Sequence, residues 1–505
     1  MKKTVLFVLA FSSITYLFGQ DKIEVSGRKR HSYKISNSNG LSSQQIEYDG
    51  KIVFNNTDTD VESISRGGFL KITKKTFGTK RTALLEGTSN GIVRTFYIGG
   101  REEPWEPEGK EWLADNLLDL IRSTGIGVET RVNRFYKQGG LNAVFEEIEE
   151  INSDFIKGKY FSATANIPGL SANQLSEVIT EGSQEIDSDF ETSRFLIQNS
   201  KLFSNDSRTI SAVIDNNSEI SSDFEQSRVL QHYLKQDGFS SEHKMKLIRA
   251  TKSISSDFEQ SRVLIEFVKN NQLNDDELEE LMDVLPNISS DFEASRVLQV
   301  IITSQELNNA KISLIIDASN EISSDFEQSR VLTKLGDQSL SKENLKLIAL
   351  ATKNISSDFE KSRMLKSVID KFDGSDDLSF IIKATDEISS DFEQSRILTI
   401  IGSKKDLSTS NFILVVKATD NISSSFEKKR VLSNLIKYND FDEQKSLAML
   451  EAIEEVSSNF EKSNLLTALG PKLPDDSEVK DSFRAVAKTI TSDFEYGKVM
   501  RSVDF

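Results

Sequence analysis

Apolar and polar positions change rhythm once along the chain. From Lys22 to about Arg101 short alternating runs are cut by turn residues. Ile46-Glu47-Tyr48 meets Asp49-Gly50 and then Lys51–Phe54. Arg66-Gly67-Gly68 separates Val61–Ser65 from Phe69–Ile72, and Ser89-Asn90-Gly91 precedes Ile92–Ile98. Asp-Gly between alternating apolar residues predicts a hairpin, and the whole stretch predicts six or so antiparallel strands in a small sheet or sandwich. After Trp105 the period lengthens to that of helices, and one word recurs: Ile-Ser-Ser-Asp-Phe-Glu-Gln-Ser-Arg-Val-Leu. Its Phe falls at Phe155, Phe190, Phe224, Phe258, Phe292, Phe326, Phe359, Phe392, Phe426, Phe460 and Phe494, always 33 to 35 residues apart. So steady a period marks a stacked array in which each unit buries its apolar face on its neighbours. The expected fold is α+β and multidomain: a small antiparallel β domain, then a long right-handed α-solenoid of about eleven 34-residue helical-hairpin repeats. Expected boundaries are 1–20 for a signal peptide and 21–104 for the β domain. Residues 105–150 would form a helical linker or N-terminal cap, and 151–505 the repeats.

The recurring word has a chemical reading. In the copy around Phe258, Ser241 to Ile254 is the first helix, Ser255-Ser256-Asp257 the turn, and Phe258 to about Asn270 the second helix. Ser256 and Glu259 have capping-box spacing: the Ser oxygen would take an orphan N–H, and the Glu would reach back to the cap's own N–H. Asp257 lies where a negative charge meets the positive helix end. Ser324, Asp325, Phe326, Glu327 and Arg330 repeat the arrangement. With Phe at 0° and about 100° per residue, Arg falls at about 40°, Val at about 140°, Leu at about 240° and Ser at about 300°. Two opposite sides are then meant for burial, Phe included, with the helix held between its own partner and a neighbouring repeat. The Ile four before each Phe would plug the elbow. The recurring Arg (Arg262, Arg330 and their equivalents) reads as an internal ladder, paired with an Asp in the adjacent repeat's turn, in preference to a stripe that binds a polyanion. Loss of a mostly buried partner would cost about 3–5 kcal/mol.

Composition narrows the chemistry. Cys is absent, so disulfides and thiolate sites are excluded. His31, His232 and His243 are the only histidines, so a zinc site would need carboxylates to complete it. The acidic run Asp58-Thr59-Asp60-Val61-Glu62 lacks the Gly and distal Glu of a calcium loop and reads as a solvated turn. No phosphate loop, dinucleotide fingerprint or nucleophile elbow appears. Gly99-Gly100 and Gly139-Gly140 read as turns. No cofactor, metal or catalytic residue is expected. Net charge is −17 overall, yet Asp21–Glu103 holds 14 Lys and Arg against 10 Asp and Glu. That front is weakly basic, and the acidic body argues against nucleic acid. Lys2-Lys3 followed by the apolar Thr4–Phe18 reads as a secretory signal, cut after Gly19 or Gln20. The mature chain is then expected in the periplasm or secreted, with no membrane span.

Taken with the repeats that follow it, the run from Val61 to Leu70 (Val-Glu-Ser-Ile-Ser-Arg-Gly-Gly-Phe-Leu) resembles the extracytoplasmic part of bacterial membrane zinc peptidases of the β-lactam-sensor type. The resemblance implies a sensing or docking module; with no His-Glu-x-x-His and no bundle of membrane helices, it implies no peptidase. The build also resembles HEAT and tetratricopeptide solenoids. Two functions fit. One is a non-enzymatic scaffold presenting the solenoid to a protein or peptide; its variable loops (Lys235–Ser240, Asn270–Glu277, Asp370–Leu378, Gly470–Ser477) are acidic and favour a basic partner. The other makes the β domain a ligand, glycan or cell-surface binding module, with the solenoid as spacer.

Overall fold

The computed structural model describes residues 24–25, 28–29, 31–36, 42–236 and 239–503. The expected signal peptide lies outside the described residues. Two compact units divide the chain, Met1–Tyr233 and Leu234–Phe505.

Among the described residues the first unit opens with ten strands: β1 (Glu24–Val25), β2 (Arg28–Lys29), β3 (His31–Ser36), β4 (Ser42–Asp49), β5 (Ile52–Phe54), β6 (Val61–Ile64), β7 (Phe69–Thr76), β8 (Thr79–Thr88), β9 (Gly91–Ile98) and β10 (Arg101–Glu103). Six make one antiparallel sheet in the order β10-β9-β8-β7-β4-β3, while β5 and β6 form a separate ribbon. Alternation decides which face is covered. Ile46, Leu70, Ile72, Ala83, Leu85 and Phe96 share one face and are buried with Ile52, Phe54, Val61 and Ile64 of the ribbon. Leu113, Leu117, Leu120 and Ile121 of α1 (Lys110–Thr124) complete this core, so the first helix belongs to the β layer. The turn between β7 and β8 is Phe77-Gly78, with φ of +46° and +85°.

Helices α2 (Val128–Glu149), α3 (Asp154–Ala165), α4 (Ala172–Glu185), α5 (Asp189–Gln198), α6 (Ser200–Phe203), α7 (Ser207–Asn217) and α8 (Asp223–Leu234) follow. Gly139 and Gly140 kink α2, Gly140 with φ of +70°.

One finding corrects the solvated-turn reading of the acidic run: Asp58 is only 5% exposed. Its Oδ2 accepts from Arg131 Nη2 at 2.7 Å and Arg134 Nη2 at 2.6 Å, both on α2. Arg131 is itself buried and also donates to Glu147 Oε1 at 2.9 Å and to the Tyr160 hydroxyl. Arg122 of α1 closes the network on Glu147 at 2.9 Å. Burial pushes the Asp58 carboxyl upward, but hydrogen bonds from Arg134 and Arg131 outweigh it and hold the group below its ordinary value. Charges so desolvated persist only when fully paired. Asp58→Ala should therefore destabilise the protein by about 3–5 kcal/mol, because two guanidinium groups lose their acceptor. The sign with pH follows from the depressed value. Its stabilisation is complete above the unfolded-state pKa of about 3.9 and is lost as pH falls through the lower native one. Urea midpoints of wild type and Asp58→Ala should thus converge below pH 4; a gap that stays constant down to pH 2 would contradict this.

The second unit alternates first helices α9 (Ser241–Ala250), α11 (Asp275–Val284), α13 (Asn309–Asn320), α15 (Lys342–Ala351), α17 (Ser379–Ala384), α19 (Thr409–Ala418), α21 (Glu443–Glu454) and α23 (Ser477–Lys488) with second helices. These are α10 (Asp257–Asn270), α12 (Asp291–Ser304), α14 (Asp325–Gly336), α16 (Asp358–Ile369), α18 (Asp391–Gly402), α20 (Ser425–Tyr438), α22 (Asn459–Leu469) and α24 (Asp493–Met500). First helices pack on first helices and second on second. The elbow residues Ile254, Ile288, Ile322, Ile355, Ile388, Ile422, Val456 and Ile490 are all buried. Among the described residues no helix is long and apolar enough to cross a membrane.

Candidate interaction surface

The repeated word supplies both sides of the contact between successive second helices. Asp and Glu flank Phe and point about 200° apart around the helix axis. Asp therefore reaches the following repeat and Glu the preceding one. Asp257 accepts from the backbone N–H groups of Ser289 and Ser290, at 3.1 and 2.8 Å. Asp325 does the same with Ser356 and Ser357, at 2.9 and 2.8 Å. In the other direction Glu293 accepts from the Ser261 hydroxyl at 2.6 Å, and Glu327 from Ser295. Ser256 and Ser324 cap their helices, each accepting from the N–H three residues on at 3.4 Å.

Three expectations change here. In the Ser324 copy the cap's own N–H is taken by Asp291 of the preceding repeat at 2.8 Å, so Glu327 does not reach back to it. Glu259 and Glu327 pair instead with the Arg one turn on: Arg262–Glu259 at 3.1 Å and Arg330–Glu327 at 2.9 Å. The Arg ladder thus has Glu of its own helix as partner, because the Asp carboxylate is already committed to backbone amides. Its cations are only partly covered, with the Arg330 side chain 34% exposed.

The largest correction concerns Phe. Val331 and Leu332 are fully buried, as are Leu335 on the side opposite Phe and the Ser329 hydroxyl side. The helix is sandwiched by the second helices before and after it and by the layer of first helices. The 0° face is left over. Phe258 and Phe326 are accordingly 52% and 50% exposed, and Phe292, Phe359, Phe392, Phe426, Phe460 and Phe494 are exposed likewise. Guanidinium groups edge these rings: Arg363 lies 5.3 Å from the Phe326 centroid, Arg330 5.7 Å from the same ring, and Arg430 5.4 Å from that of Phe392. The second unit thus carries a row of half-exposed Phe, one per repeat, bordered by Arg. Phe190 and Phe224 repeat this in the first unit, with Arg228 5.4 Å from the Phe190 ring.

Departures from the word are chemically consistent. Lys429 stands where other copies have Ser and reaches Glu461 of the next repeat at 3.1 Å. Gly497 stands there in the last copy, and Ile156 replaces Glu in the first. Gly158 also replaces Ser in that first copy, and there a cavity of about 630 Å³ opens beside Lys159, Glu191 and Arg194. Burial pushes Glu191 up, and burial with the neighbouring Arg194 pushes Lys159 down. Among the described residues no group of three or more His, Asp or Glu converges as a metal site would. His232 Nε2 is instead 2.7 Å from the Ser200 hydroxyl.

No protein-family model matches the chain, and no curated protein matches it. Among solved structures it is similar to a circular tandem repeat protein with novel repeat topology and enhanced subunit contact surfaces. That match has 11% identity and a TM-score of 0.17, over 78% of this chain and 93% of the other. It is also similar to the Chs5-Bch1 exomer cargo adaptor complex, with 10% identity and a TM-score of 0.19, over 92% of this chain and 84% of the other.

Two opposite substitutions test the Asp contact. Asp325→Ala should cost about 1–3 kcal/mol, leaving the Ser356 and Ser357 amides without their acceptor. Ser425 occupies the same place in its copy, so Ser425→Asp should add roughly 1 kcal/mol by supplying that acceptor to Ser457 and Ser458. Chemical denaturation reads both, and a destabilising Ser425→Asp would refute the assignment. Arg330→Ala should cost only about 1 kcal/mol, since the pair is partly solvated and Glu327 keeps its Ser295 donor.

Proposed function

We propose that this chain is an extracytoplasmic protein-interaction scaffold, non-enzymatic, whose second helices present the Phe row to a protein partner. The observation that carries the reading is the exposure of a large apolar side chain at the same place in ten of the eleven copies, all but the first. Single exposed apolar residues are ordinary; a contiguous series rimmed by polar groups marks an interaction surface. Phe and Arg are also among the residues enriched at protein interfaces. A uniform row suits a partner that meets several repeats at once, with each repeat contributing a weak contact. The acidic loops between helices favour basic residues on that partner. The N-terminal Lys2-Lys3 and apolar run support export.

The test uses the full chain. Phe326→Ser, Phe359→Ser and Phe392→Ser together remove the middle of the row at half-exposed positions, so the melting temperature should fall by only a few degrees. Crosslinked capture from the envelope fraction should lose its wild-type partner in the triple variant. A partner retained at wild-type level would overturn the reading. Intact mass of the exported protein should place its first residue near Gln20 or Asp21; retention of residues 1–20 in a cytosolic pool would overturn the extracytoplasmic part.

A further inference from the structure

We propose that the tip of the β7–β8 hairpin is a docking point for an anionic bilayer surface, with Phe77 entering the headgroup region and the surrounding Lys and Arg meeting lipid phosphates. Three features of this tip work against its own stability, and none is repaid by packing. Phe77 has φ of +46°, a left-handed conformation that a bulky residue adopts at a cost and that Asn or Gly would hold without strain. Among the described residues it is also the most exposed large apolar side chain, at 81%. Register then sets Lys74 directly opposite Arg81 and Lys75 opposite Lys80, two like-charge cross-strand pairs. Lys74 keeps its charge and donates a hydrogen bond to Asn116 Oδ1 on α1 at 2.6 Å. Lys75, Lys80 and Arg81 make no ion pair among the described residues.

An exposed aromatic ring ringed by cations matches a surface that is anionic outside and apolar just beneath. A soluble polyanion would use the cations and have no need of the ring. The amphipathic logic is that of interfacial anchors, where an apolar side chain sinks a few ångströms and basic residues hold the headgroups. This assignment is independent of the Phe row, which lies on other helices, and requires no membrane-spanning segment.

The experiment is flotation of the full chain with vesicles of phosphatidylglycerol and phosphatidylcholine. Wild type should bind vesicles rich in phosphatidylglycerol, bind pure phosphatidylcholine far less, and release in high salt. Phe77→Asn should lower the affinity about tenfold or more while leaving the melting temperature unchanged or raised, since Asn suits the left-handed turn. Lys75→Gln with Lys80→Gln should lower it roughly fivefold per cation. Phe77→Trp should keep binding and show a blue-shifted emission on anionic vesicles. Equal flotation with both lipids, or unchanged binding in Phe77→Asn, would overturn the proposal. So would binding of soluble dextran sulfate that competes fully and is insensitive to Phe77.

Discussion

Most contacts between successive second helices of the array share one constraint, carboxylates placed on opposite sides of one helix. Two acidic residues flank a single position, and helical geometry sends them to different neighbours. The forward one takes backbone N–H groups that a helix start leaves without partners. The backward one takes a hydroxyl and a guanidinium. Both are charge-assisted bonds, stronger than their neutral equivalents. Because the donor of one copy is the acceptor's partner in the next, a single eleven-residue word is enough to specify a contact that can be repeated without limit.

That economy explains what was legible in the sequence. The period, the cap Ser, the buried Val and Leu and the elbow Ile follow from local spacing, and local spacing is what a single chain displays. The exposure of Phe was not legible for a geometric reason. Helical angles show that Phe stands apart from Val and Leu, yet they do not say whether a third layer covers it. An aromatic residue that recurs this regularly reads as core until the neighbours of the helix are known. The partner of Arg was not legible for a related reason: Asp and Glu are both within its reach by helical spacing, and only the commitment of Asp to backbone amides leaves Glu.

The β layer taught a different lesson. Its strands were visible as alternation and the β8–β9 turn as Asn90-Gly91, but the Asp49-Gly50 hairpin is not formed: β4 pairs with β3 and β7, and β5 with β6 in a separate ribbon. Its ionic core was not, because Asp58 finds Arg131 at a separation of 73 residues. A carboxylate in a polar run looks solvated unless a distant helix comes to cover it. The same distance hid the membership of α1, whose Leu113, Leu117 and Leu120 close the sheet's apolar face. Helical periodicity identified the helix but could not say which layer it would complete.

An interface that can be repeated without limit is also a polymerisation hazard: a molecule whose last copy fits the first copy of another would grow into filaments. The substitutions at Ile156 and Gly497 bear on this directly. The copy around Phe155 has no carboxylate to receive an incoming hydroxyl, and the copy around Phe494 has no hydroxyl to offer. Only the hydroxyl–carboxylate half of the contact is missing there, since Asp493 is retained, and the helix of the Phe155 copy is already covered by α1 and α2, with Ile156 buried. The helices that precede the first copy thus occupy the face on which a second molecule would otherwise join.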